Sequence, residues 1–153
     1  MGRKPLKRHP SLRNLSREHH DILVFTLRLS KGIKRDIALD RLVKYALWFW
    51  ESYLQEHFRL EEKHLFPLMS DDHPMKEQAL EQHQQIQAYF EQSGLDIQQL
   101  KVIRDKVNQH IRFEEREFLM FIQKKVDESS LANFAMEHKN QRSCPIWFDD
   151  FWN

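Results

Sequence analysis

The sequence predicts an all-α protein, an up-and-down antiparallel four-helix bundle followed by a short extra helix and an aromatic tail. Two observations carry that expectation. Only three Gly and five Pro interrupt 153 residues rich in Glu, Gln, Leu, Lys and Arg, and these breakers fall where helices would stop. Strand signals are missing: there is no alternating apolar–polar run and no Asn-Gly hairpin turn.

The elements follow in order. Residues 1–10 carry Arg3, Lys4, Lys7 and Arg8 and are expected to be a mobile basic tail, with residues 11–153 forming a single domain. Pro10-Ser11 is a start signal, and apolar positions recur at Leu12, Leu15, Ile22, Leu29 and Ile33; Gly32 reads as the end or an interruption of this first helix. A second helix is expected over 36–69, with Pro67 in its last turn. Asp71-Asp72-His73-Pro74 supplies a cap and an early proline for a third helix, which stops at Ser93-Gly94. A fourth opens at Asp96 and runs to about Val126, and Ser129-Ser130 can cap a shorter fifth through Ala132 to about Lys139. Short loops between long helices imply antiparallel neighbours.

Charge narrows the function classes. With 24 Lys+Arg against 23 Asp+Glu, the chain lacks the accumulated positive charge on which nucleic-acid affinity depends. No apolar run approaches the roughly 18–20 residues that span a bilayer. The opening MGRKPLKRHP has no apolar stretch behind it, and Leu6 breaks the myristoylation pattern. The expectation is a cytoplasmic protein with neither nucleic acid nor membrane as partner. A single cysteine, Cys144, excludes an intramolecular disulfide and a thiolate cluster.

The chemistry lies in an internal repeat. His57-Phe58-Arg59-Leu60-Glu61-Glu62-Lys63 aligns with His110-Ile111-Arg112-Phe113-Glu114-Glu115-Arg116, one copy on each of the second and fourth helices. At about 100° per residue, positions i and i+4 share a face, so His57 points with Glu61 and His110 with Glu114. Glu62 and Glu115 lie a further 100° or so round and are the weaker candidates. Trp50, Tyr53, Leu54, Leu60 and Leu65 flank one pair, and Ile103, Val107, Phe113, Phe118 and Phe121 the other, so both pairs stand on or beside core faces. Burying ionised carboxylates costs several kcal/mol each unless a partner or a metal compensates.

The first and third helices each add a histidine with apolar flanks, His19 (or its neighbour His20) and His83. Four imidazoles and two carboxylates then share one chamber, a donor set without thiolate that suits iron or manganese and, less exclusively, zinc. Arg59 and Arg112 are expected to face outward or pair with Glu62 and Glu115. His64 and Glu117 fall at i+7 from the ligand histidines and are expected to line the cavity, while His9, His73 and His138 read as surface residues. Trp147–Phe151 and Phe148–Trp152 are i,i+4 pairs in the aromatic tail; one helical turn there would either pack over the bundle or meet a protein partner or a second copy in a homodimer.

The motifs between Leu15 and Phe121 resemble those of the hemerythrin-like (HHE cation-binding) family. Leu-x-x-Glu-His-x-x-Ile at Leu15 to Ile22 is similar to the family's first-helix ligand segment and favours His19 over His20. His57 to Glu62, with Leu65-Phe66-Pro67 behind it, is similar to the second-helix motif. The resemblance implies a non-haem di-iron site on His19, His57, Glu61, His83, His110 and Glu114. It also implies a small diatomic ligand, O₂ or NO, or iron or oxygen sensing. The alternatives are an iron-dependent redox or cluster-repair-type enzyme and an iron-responsive interaction module. Two departures from the oxygen carriers stand out: Ala79 occupies the place of a second third-helix histidine, and Glu114 precedes Glu115 where those proteins end the motif with Asp.

Overall fold

The computed structural model describes residues 7–138 and 144–153, and among the described residues every regular element is a helix and none is a strand. A 3-10 turn at Pro10–Leu12, capped by the His9 side chain on the Ser11 N–H, leads into α1 (Arg13–Lys34). The second rod is α2 (Leu39–Phe49) and α3 (Gln55–Leu60), joined by a π turn at Trp50–Leu54 and prolonged by another at Glu61–Leu65. Next comes α4 (Pro74–Phe90), its N-terminus capped by His73 on the Met75 N–H. The fourth rod is α5 (Ile97–Phe113), a π turn at Glu114–Phe118 and α6 (Leu119–Lys125). α7 (Glu128–Glu137) follows, capped by Asp127 rather than by the serines, which instead donate to that carboxylate.

Local chemistry explains the boundaries. Asp36 adopts φ +53 beyond α1, a left-handed conformation that aspartate tolerates better than most side chains. Asp96 and Gln99 form a reciprocal capping box that satisfies two orphan N–H groups at the start of α5.

One expectation about the first helix is corrected. α1 runs through Gly32, whose role is steric: a Cβ there would lie 2.6 Å from the Phe151 ring and closer still to Leu42. The basic tail is anchored from Arg8 onward. Arg8 donates to the Glu115 carbonyl (2.7 Å), the Glu115 carboxylate (2.8 Å) and Gln123 (3.1 Å). Residues 1–6 lie outside the described residues.

The aromatic tail is not a helical turn. Arg41 grips the Asp149 carboxylate with two hydrogen bonds of 2.8 and 2.6 Å, and Arg35 donates to the Trp152 carbonyl at 2.6 Å. Phe151 and Trp152 are buried against Tyr45, at ring distances of 5.1 and 5.5 Å, and Arg28 covers Trp152. Ile146 and Phe148 point away and are 95% and 83% exposed.

The interior holds two apolar clusters. One contains Ile22, Phe25, Phe49, Tyr53, Phe58, Ile86, Val107 and Ile111 and takes in Phe151 and Trp152. The other contains Leu12, Leu15, Leu65, Phe66, Ala79, Phe118 and Leu131. On the first three rods the switch from one cluster to the other falls at a buried histidine or glutamate, His19, Glu61 and His83, and on the fourth it falls between His110 and Glu114. No described helix is long and apolar enough to cross a membrane.

Candidate metal centre

Each rod delivers its polar side chain by ordinary helical register. His19 lies between Leu15 and Ile22 on α1, and His83 between Ala79 and Ile86 on α4, so burying those apolar neighbours carries the imidazoles inward. His57 and His110 stand one turn before Glu61 and Glu114 on the other two rods. All six side chains are at most 3% exposed, whereas His20 faces solvent.

A π turn begins at each inward glutamate. Phe66 N–H bonds the Glu61 carbonyl, and Leu119 N–H bonds the Glu114 carbonyl, five residues back instead of four. Such single-turn insertions recur at functional sites in helices. Here they also alter everything C-terminal to the glutamates. Glu117 is consequently exposed, and His64 turns to Glu137 at 3.0 Å, so neither lines the chamber as the unbroken i+7 spacing predicted.

The geometry is orderly: every imidazole points Nε2 inward and Nδ1 outward. Glu61 is central, with one oxygen 3.1 Å from His19 Nε2 and 3.3 Å from His57 Nε2, and the other 3.1 Å from His83 Nε2. His83 Nε2 and His110 Nε2 face each other at 3.1 Å, and His110 Nε2 abuts Glu114 Oε1. These atoms form two clusters able to hold a cation, His19–His57–Glu61 and Glu61–His83–His110–Glu114, with Glu61 common to both. The fit to metal is direct. His57 Nε2 and both Glu114 oxygens are buried without a hydrogen-bond partner, which is costly unless an ion takes them up.

The outward nitrogens are held in turn. His57 Nδ1–H donates to Glu18 (2.9 Å), His83 Nδ1–H to Glu62 (2.9 Å) and His110 Nδ1–H to Gln82 (2.6 Å), while His19 Nδ1 sits 3.2 Å from Glu115. Partners of this kind fix the tautomer that leaves Nε2 free for a metal. Glu62 and Glu115 therefore serve the neighbouring helix's histidine, and Arg59 and Arg112 turn outward to Glu56 and Asn108 instead of pairing with them. The expectation that His138 is a surface residue is also overturned. It is 4% exposed, its Nε2 lies 2.5 Å from Glu18, and its ring stacks on Phe134. The signal was present in the sequence, since Leu131, Phe134 and His138 repeat at i, i+3 and i+7 on one face of α7 and its exit.

Without a metal, protons carry the compensating charge. Burial alone would lower His19, but hydrogen bonds to Glu115 and Glu61 carry its pKa up to about 10. His57 and His83 are also raised, against the same desolvation, by their glutamates. Glu61 is driven well below the carboxylate range, because its histidines outweigh the burial that would raise it. Glu18 falls to about 2, burial being overcome by bonds from His138 and His57. His110 goes the other way: burial prevails over the Glu114 carboxylate and lowers it.

The hemerythrin HHE cation binding domain model matches residues 11–122. The chain belongs to that family. The matched segment contains all six inward side chains and ends before α7, so His138 lies outside it. Comparison with curated proteins and with solved structures found no match. This hemerythrin domain thus binds metal cations by family, and its buried histidine–glutamate layer is where a cation fits.

Proposed function

We propose that this hemerythrin domain holds a non-haem di-iron centre that engages O₂ or NO. His19, His57, His83 and His110 would hold the ions through Nε2, Glu61 would serve both positions, and Glu114 would add a second carboxylate to the position on His83 and His110. The observation that carries the reading is the shared Glu61, which belongs to both donor clusters through its two oxygens. Such an iron pair supplies reversible electron transfer and open coordination positions for a diatomic. The chain's own residues do the rest: the four imidazoles present Nε2, the outer glutamates and Gln82 hold Nδ1–H, and the two apolar clusters exclude water. Manganese and zinc suit the same donors, so iron is the choice to test.

An up-and-down arrangement of the four rods belongs to this proposal. Its support is the order of the two apolar clusters, which reverses from each rod to the next: Leu15 to Ile22, Phe58 to Leu65, Ala79 to Ile86, Ile111 to Phe118.

The test is anaerobic reconstitution with ferrous iron, a count of irons per chain, and then exposure to O₂ and to NO. Two irons and a new visible band with either gas are expected. An unchanged spectrum with both gases rules out diatomic binding. A second reading, an iron-responsive contact module, is favoured by the exposed Ile146 and Phe148 beside the packed aromatic tail. It predicts iron-dependent self-association in sedimentation that Phe148→Ser abolishes.

A further inference from the structure

The chamber is built from two near-equivalent halves. In the first, Glu18-His19 on α1 faces His57 and Glu61; in the second, Gln82-His83 on α4 faces His110 and Glu114. The flanks correspond as well, with Leu15 and Ile22 at −4 and +3 from His19, and Ala79 and Ile86 at −4 and +3 from His83. The two ring pairs cross at the same 69°, with centroids 5.1 and 4.7 Å apart. The outer glutamates are exchanged between halves, Glu62 taking His83 and Glu115 taking His19. The symmetry breaks at two places: Glu61 belongs to both donor clusters while Glu114 belongs to the second alone, and the residues before the two histidines differ. The residue before the first histidine is a carboxylate, Glu18 on His57 Nδ1, and its counterpart is an amide, Gln82 on His110 Nδ1.

We propose that Gln82 is a positioning residue that makes the two metal positions unequal, so that the ion on His83, His110 and Glu114 is the weaker bound of the two. The inference rests on two ions sharing the chamber. A carboxylate that accepts from Nδ1–H pushes electron density into the ring and strengthens Nε2 as a donor, and a neutral amide does so less. The surroundings widen the difference. Glu18 is sealed by His138, whereas Gln82 lies along a polar cleft of about 110 Å³ shared with Gln85, Lys106 and Gln109, where water competes for the amide. Glu and Gln have the same shape, so exchanging them changes charge and donor strength without changing the space filled, and at position 18 it also alters the contact with His138.

Metal-free protein titrated calorimetrically with ferrous iron alone, under argon, tests this. The wild type fills in two steps separated by about tenfold or more in affinity, the usual scale for an outer partner. Gln82→Glu tightens the weaker step about tenfold toward the stronger one, and Glu18→Gln loosens the stronger step by a similar factor. Circular dichroism confirms that each variant is folded, and the Glu18 arm decides the matter if Gln82→Glu is not. Two wild-type steps that Gln82→Glu leaves in place, or a Glu18→Gln variant that weakens the second step instead of the first, overturn the proposal. No iron uptake by the wild type overturns the di-iron reading beneath it.

Discussion

The polar chamber and the aromatic end lie on the same helices and obey opposite physics. In the chamber, four imidazoles and two glutamates are buried at a density that only added positive charge makes tolerable, so its stability depends on what is bound. At the aromatic end, Phe25, Phe49, Tyr45, Trp152 and Phe151 bury apolar surface and need no ligand. One fold therefore contains a region that responds to solution conditions and a region that holds the rods together without regard to them. Changes in one should leave the other in place.

The largest effect separating the two regions is expected from Glu61→Ala, which removes the donor common to both clusters. Iron content and iron-dependent melting temperature fall together, by about 4 kcal/mol where free iron exceeds its Kd a thousandfold. Unchanged melting alongside lost iron would break the coupling of metal to fold.

Alkaline pH comes next. His19 has a folded pKa near 10 against 6.5, so its contribution is complete below about 6.5 and is lost as pH rises through 10. Metal-free protein should lose stability in urea between pH 6.5 and 9, with a slope of at most about 1.4 kcal/mol per unit for this group, and loaded protein should not. Glu18 has the reverse sign, its contribution being present above about 4.5 and lost toward pH 2.

Gly32→Ala probes the other region. The new methyl meets Phe151 and Leu42, and the overpacking is expected to cost about 1–3 kcal/mol in denaturant melts while iron per chain stays the same. Lost iron in that variant would show that the regions are not independent. A smaller effect is expected of His138→Ala, which leaves a Glu18 oxygen without its partner at about 1–2 kcal/mol and loosens α7 in hydrogen exchange.

The inward pairs were legible because a helix fixes the relation of i to i+4 locally, so His57–Glu61 and His110–Glu114, all four buried, announce themselves in the sequence. Glu62 and Glu115 were discounted as lying off that face. A single helix cannot reveal that an off-face carboxylate meets the histidine of the next rod, His83 or His19. His64 and Glu117 failed for a related reason, since the π turns at Glu61–Leu65 and Glu114–Phe118 displace the register that an unbroken helix would carry forward. Gly32 resembled a stop because glycine marks both a chain end and a close approach, and only the position of Phe151 distinguishes them.

By itself the sequence determined the helical class, the helix starts near Pro74 and Asp96, and the six side chains that turn inward, all consequences of short-range backbone geometry and the 3.6-residue period. The tertiary structure decided what surrounds each imidazole's outer nitrogen, why Glu18 and His138 are buried together, and where the tail lies. Those outcomes depend on contacts between residues far apart in the chain, as between Glu18 and His138, 120 positions apart, and no local preference encodes them.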